Sequence, residues 1–104
     1  MASLTMMKLD GTTPELSPHF GEQVTFKVET KAAQVNVVAI AYQDGAVVYA
    51  ESHYFPPSPF GFTFTLGPTQ QWSGGPAELV AKMYDTTKPK ASHSLASQTL
   101  TVSG

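Results

Sequence analysis

Three features of the sequence predict an all-β fold of two antiparallel layers. Apolar and polar residues alternate with a period of two over several short stretches, as in strands that bury one face. Clusters of Gly, Pro, Ser and Thr separate these stretches and are typical of turns. No stretch carries a convincing helical period. Together these features favour a sandwich built from about seven short strands.

The centre of the chain, Val35–Ser52, predicts a β-hairpin. Two apolar runs flank Asp44-Gly45, a pair that strongly favours a two-residue turn. Both turn residues would then have φ > 0, which Gly adopts freely and Asp tolerates better than most residues. With a loop of two residues, the predicted facing pairs are Tyr42 with Val47, Ala41 with Val48, and Ile40 with Tyr49.

This register assigns the hairpin side chains to two faces. The predicted inward residues are Ala39, Ala41 and Val48. The predicted outward residues are Val38, Ile40, Tyr42, Val47 and Tyr49. Five apolar side chains on an outer face exceed what a lone monomer usually exposes, so either the N-terminal segment or another subunit is expected to cover them. A slip of one residue in the turn would reverse both faces.

The remaining strands follow from the same alternation. They are predicted over Leu4–Leu9 (an edge strand), Glu22–Thr30, Phe60–Leu66, Ala77–Asp85 and Leu95–Val102. His53–Pro59 cannot be an interior strand, because its three prolines lack the N–H that a ladder needs. Ala77–Asp85 contains good helix formers, but its Gly-Gly-Pro entry, short length and strict alternation favour a strand.

Seven strands separated by turns are typical of an Ig-like two-sheet sandwich, here a single domain over residues 1–104. The predicted core residues are Val24, Phe26, Val28, Ala41, Phe62, Phe64, Trp72, Leu79 and Leu100.

Composition excludes several classes of function. A formal net charge of −2 and only six basic residues give no electrostatic footprint for nucleic acid. The chain has no Cys, so disulfides and thiolate chemistry are ruled out. No stretch reaches the roughly 18–20 apolar residues of a membrane span, and the N-terminus lacks the pattern of a signal peptide. We expect a chain that is made in the cytosol and has no membrane partner.

No pattern of reactive residues predicts an enzyme, a cofactor or a metal. The three histidines, His19, His53 and His93, lie in separate predicted loops without the spacing of metal ligands. The acidic residues occur singly, whereas a glycosidase needs two facing carboxylates. No Gly-x-Ser-x-Gly elbow is present, and the glycines after Trp72 precede a strand instead of opening a helix.

Two stretches are candidates for contact with a partner. The first is the aromatic, proline-rich run with Tyr54, Phe55, Pro56, Pro57 and Phe60, whose rigid apolar side chains suit an interface. Its alternative is that Phe55 and Phe60 fold back over the end of the sandwich. The second is the outer hairpin face with Ile40, Tyr42, Val47 and Tyr49. Trp72 is expected to plug the core, with a sugar-stacking platform as the alternative.

Four segments in order resemble the small Ig-like modules of tailed bacteriophages of actinobacteria, which occur as accessory proteins on heads and tails. The segments are YQDGAVVY at Tyr42–Tyr49, FTLGP at Phe64–Pro68, WSGGPAELVA at Trp72–Ala81 and LASQTLTV at Leu95–Val102. Such modules often carry one Cys before the Asp-Gly turn and one after the Gly-Gly turn. The matching positions here are Ala41 and Leu79, which indicates that both side chains point inward.

The resemblance implies a structural role without catalysis. A protein of this kind is expected to decorate the capsid from outside by binding the major capsid protein, or to bind another virion protein on the tail. Many copies on a lattice would let weak contacts act together. The alternative is a carbohydrate-binding or adhesion module that stacks Trp72 and tyrosines on a host-surface glycan. A homo-oligomer is compatible with either function.

Overall fold

The computed structural model describes residues 2–55, 62–86 and 94–104. These residues form seven strands: β1 Ser3–Lys8, β2 Gln23–Glu29, β3 Val35–Gln43, β4 Ala46–Phe55, β5 Phe64–Thr65, β6 Ala77–Asp85 and β7 Ala96–Val102. All pair antiparallel, in one sheet of order β1-β2-β5 and a second of order β4-β3-β6-β7. This confirms the predicted two-sheet, Ig-like sandwich.

The core lies between the two sheets and is built by the alternating residues of each strand. Val24 and Phe26 of β2 are buried, and the Phe26 ring meets the Phe64 ring edge-on with centroids 5.0 Å apart. The other expected core residues that are buried are Ala41, Phe62, Phe64, Trp72 and Leu79. Val28 and Leu100 are partly buried and pack against this core.

The hairpin turn has the predicted conformation. Asp44 has a φ of 52° and Gly45 a φ of 81°, so both central residues occupy the left-handed region that a tight hairpin turn requires. Tyr42 pairs with Val47 across the turn, as predicted.

Beyond that pair, the predicted register of the hairpin is wrong. Ala41 pairs with Tyr49, not with Val48, and Ile40 pairs with Ala50. Val48 is therefore the extra residue of a β-bulge, and both Val48 and Tyr49 are buried. Tyr49 belongs to the core, which corrects its placement on the outer face.

Contacts from outside the hairpin account for the bulge. The Val48 carbonyl accepts a hydrogen bond of 2.6 Å from the Thr69 hydroxyl, and the Tyr49 ring packs edge-on against Trp72 with centroids 5.8 Å apart. Both contacts depend on the Gly67–Pro76 connection, so an alternation rule applied to β4 alone could not reveal them.

Strand β4 also continues further than the prolines indicated. His53, Tyr54 and Phe55 pair with Val37, Asn36 and Val35. Because β4 is an edge strand, its other side needs no ladder partner, and pairing can persist up to the residue before the first proline. The strand therefore ends at Phe55, three residues later than predicted.

The cysteine positions implied by the resemblance correspond to a directly paired couple in one sheet. Ala41 and Leu79 are both buried and lie opposite each other on β3 and β6. A covalent link there would join neighbouring strands of the four-stranded sheet and would not connect the two sheets.

Candidate interaction surface

The outer face of the four-stranded sheet is apolar along its two central strands, β3 and β6. Its half-buried apolar residues are Val38, Ile40, Tyr42, Val80 and Tyr84. Together with Lys82 they line a cavity of about 70 Å³. We call these six residues the β3–β6 face.

The opposite side of the molecule is built differently. The central strand of the three-stranded sheet, β2, presents only polar residues outward: Gln23, Thr25, Lys27 and Glu29. An outer sheet face usually has this polar character. The β3–β6 face departs from it, and such a face usually marks a contact surface.

Strand β1 does not cover the β3–β6 face, although the N-terminal segment was one of the two expected covers. β1 lies in the other sheet, as a partner of β2. The segment after it bends back beside β1 through the Met7–Pro14 bridge, and Met7 is buried. The other expected cover, another subunit, remains a prediction.

Tyr54 and Val47 stand at opposite ends of β4, and both are exposed. Tyr54 is 57% exposed and pairs with Asn36, and Val47 is 54% exposed beside the hairpin turn. Ile40 and Tyr42 lie between these ends on β3. Four of the expected contact residues are therefore brought to one side of the four-stranded sheet.

Phe55 turns inward, in agreement with the alternative that it folds over the end of the sandwich. Its ring lies 5.8 Å from the Phe62 ring, centroid to centroid, and packs against the core. Pro56, Pro57 and Phe60, the other residues expected at this contact, lie outside the described residues.

A polar cluster that sequence reasoning missed lies on the inner side of β4. The Tyr49 hydroxyl donates to Glu51 Oε1 at 2.7 Å, and His53 Nε2 lies 2.7 Å from Glu51 Oε2. The Thr65 amide of β5 also donates to Glu51 Oε1, at 3.1 Å. Burial and the neighbouring Glu51 carboxylate raise the pKa of Tyr49 well above its usual range. The cluster keeps Glu51 hydrogen-bonded between the two sheets, and the i, i+2, i+4 spacing of its residues was the available signal.

Trp72 cannot serve as a sugar platform. Its side chain is fully buried, its indole N–H donates to the Gly75 carbonyl at 3.1 Å, and the rings of Phe20 and Tyr49 pack edge-on against it. A ring that is closed in on this many sides has no free face for a pyranose. The glycan alternative thereby loses the residue on which it chiefly depended.

The two histidines among the described residues have partners in separate places. The His53 ring packs edge-on against the Phe64 ring, with centroids 4.7 Å apart. His19 Nδ1 lies 2.6 Å from the Ser103 hydroxyl. His93 lies outside the described residues. Over residues 2–55, 62–86 and 94–104, no group of three or more His, Asp or Glu is arranged to hold a metal ion.

The fold and its surfaces define this chain as a β-sandwich domain with one apolar outer face. Within the described ranges, no helix could span a membrane. Comparison with known protein families, with curated proteins and with solved structures found no match.

Proposed function

We propose that this chain is a non-enzymatic accessory virion protein of a tailed bacteriophage that decorates the capsid. It binds the major capsid protein on the outside of the head after synthesis in the host cytoplasm. The ordered resemblance of four segments to Ig-like phage modules suggests this class. The surface chemistry of the fold supports a role in binding.

The observation that carries the proposal is the exposed Tyr54 at the end of edge strand β4. A tyrosine with 57% exposure offers a large amphipathic side chain at low cost in conformational entropy. The neighbouring Phe55–Phe62 contact fixes the strand from which it projects. The sequence continues with Pro56 and Pro57, so the adjoining chain carries few hydrogen-bond donors.

The test measures how much protein is bound to particles. Wild-type and Tyr54→Ala proteins are added at subsaturating concentration to particles lacking this protein, and bound protein is separated on a density gradient. We expect Tyr54→Ala to lower occupancy about tenfold, since truncating an interface hot spot costs about 1–2 kcal/mol or more. The matched control is Leu16→Ala, which shortens another apolar side chain that is 72% exposed, and it should bind like the wild type.

Different failures contradict different parts of the proposal. Wild-type protein that stays at the top of the gradient overturns the virion assignment. Labelling of tails instead of heads in electron micrographs overturns capsid decoration. Equal occupancy of Tyr54→Ala and wild type, with both proteins folded by circular dichroism, overturns the contact at Tyr54.

A further inference from the structure

We infer that the β3–β6 face is a self-complementary surface on which a second copy of this chain docks to form a twofold-symmetric dimer. Its centre lies at Ile40 and Val80, whereas the virion proposal depends on Tyr54 at the end of β4, so the two proposals are tested by different variants. The inference rests on the apolar character, the charge arrangement and the size of that face.

The charges on β6 are arranged symmetrically about one residue. The outward residues of β6 are Glu78, Val80, Lys82 and Tyr84, with Glu78 and Lys82 each two positions from Val80. Successive outward residues of a strand are about 6.7 Å apart. Glu78 and Lys82 therefore stand at equal distances on either side of Val80, with opposite charges.

A twofold axis above Val80, perpendicular to the strands and parallel to the sheet, turns this arrangement into contacts. It sets the strands of the two copies antiparallel and places Glu78 of each copy opposite Lys82 of the other. Two ion pairs then form at equivalent positions, as an isologous interface requires. The same surface meets itself, and no second type of surface is needed.

The neighbouring strand β3 fits the same operation. Ile40 pairs with Val80, so the axis also passes above Ile40, and this residue meets Ile40 of the other copy. Val38 and Tyr42 flank Ile40 at equal distances, so Val38 of one copy meets Tyr42 of the other. The centre of the contact is thus apolar and the charges lie around it, which is the usual anatomy of an interface.

The size of the face meets the requirement for a specific dimer. The β3–β6 face is the centre of the outer surface of the four-stranded sheet. Four strands about 4.8 Å apart and about 25 Å long cover roughly 480 Å², so two copies packed over this whole surface bury about 1,000 Å². This is the lower limit for a specific protein interface, and interfaces of this size belong to the weak, transient class. The polar β2 face offers no comparable apolar centre.

The experiment measures the mass of the pure protein by sedimentation equilibrium from about 1 to 500 µM. The monomer mass is 11.1 kDa, and we expect the weight-average mass to approach twice that value as concentration rises. Val80→Lys places two like charges at the axis and should raise the dissociation constant tenfold or more. Lys27→Glu reverses an exposed charge on the opposite sheet and is the matched control.

Charge reversal tests the geometry itself. Glu78→Lys places two Lys-Lys pairs in the dimer and Lys82→Glu places two Glu-Glu pairs, so each variant alone should dimerise more weakly than wild type. An equimolar mixture of the two variants has only Lys-Glu pairs and should recover the wild-type dissociation constant. The double variant Glu78→Lys/Lys82→Glu should recover it as well.

Three outcomes overturn the inference. They are a protein that stays monomeric at 500 µM, a dimer that Val80→Lys leaves unchanged, and single charge variants that do not rescue each other when mixed. Far-ultraviolet circular dichroism and the emission of the buried Trp72 verify that each variant is folded, so loss of the dimer cannot be mistaken for unfolding.

Discussion

The most informative single residues for pH dependence are Glu15 and Glu22, whose carboxyl groups share a hydrogen bond. The bond from Glu22 lowers the pKa of Glu15, which is buried and also accepts a bond from the Ser17 amide at 3.0 Å. Burial, together with the bond to Glu15, raises the pKa of Glu22. As the pH falls, Glu22 therefore takes up a proton before Glu15 does.

The raised pKa of Glu22 predicts that a Gln at this position stabilises the protein at neutral pH. A raised pKa in the folded state contributes stability that is complete below the unfolded value of 4.5 and is lost as the pH rises through the folded value. The lowered pKa of Glu15 acts oppositely, and its contribution is lost as the pH falls. Glu22→Gln keeps a donor for Glu15 and removes the titration.

We expect Glu22→Gln to match wild type in urea unfolding at pH 4 and to exceed it at pH 7.5. Glu22 is partly exposed, so solvent screens its charge and the gain should be about 1 kcal/mol or less. Glu29→Gln, which alters an exposed carboxylate, should change little at either pH. An equal difference between Glu22→Gln and wild type at both pH values would contradict the raised pKa of Glu22.

At the level of elements, β4 combines one local and one non-local determinant. Its turn depends on Asp44 and Gly45 alone, and for that reason it could be predicted from the sequence. Its bulge depends on the bond from Thr69 to Val48, residues that lie 21 positions apart, so a local pattern contains no signal for it. The alternation of apolar and polar residues in β2 and β6 could likewise be predicted from the sequence, since one face of each strand is buried.

The pairing of one strand with another also could not be predicted from a local sequence pattern. The alternation within β6 places Glu78, Val80, Lys82 and Tyr84 outward on their own strand. They lie beside the outer residues of β3 because β3 pairs with β6. Alternation within each strand does not specify which strands become neighbours. The β3–β6 face therefore emerged only from the assembled sheet.

The bulge predicts that deletions in β4 have unequal effects. Without Val48, Val47 and Tyr49 become consecutive, and the pairs Tyr42–Val47 and Ala41–Tyr49 can persist in a regular ladder. This deletion removes one buried side chain and one hydrogen bond, at a cost of about 2–4 kcal/mol. The fold should survive.

Deletion of Ala50 is the matched comparison. It shifts every later residue of β4 by one position, so Glu51 and His53 move to the outer face and Ser52 enters the core side. We expect this variant to be unfolded or far less stable in urea than the Val48 deletion, with Trp72 emission as the probe. If the Val48 deletion were the more damaging of the two, Val48 would not be the inserted residue.

At the scale of the whole molecule, hydrogen bonds connect the two sheets in addition to the packing of the core. The Met6 amide of β1 donates to Gln98 Oε1 of β7 at 2.7 Å, so this bond links the two sheets. Met6 is fully buried, and water cannot easily replace its partner. A second bond joins the connection between β1 and β2 to the end of β7, where the Phe20 amide donates to the Ser103 carbonyl at 2.7 Å.

The bond between Met6 and Gln98 predicts that substituting Gln98, which is polar and only partly buried, strongly lowers the free energy of unfolding. Gln98→Ala removes the acceptor and leaves a buried donor unpaired, which should cost about 1–3 kcal/mol in urea unfolding and reduce the hydrogen-exchange protection of the Met6 amide. Gln98→Glu retains an acceptor and should preserve most of that protection. Ser97→Ala, one position away on the exposed side of β7, is the control. If Gln98→Ala were as mild as Ser97→Ala, the bond between the Met6 amide and Gln98 would contribute nothing to the association of the two sheets.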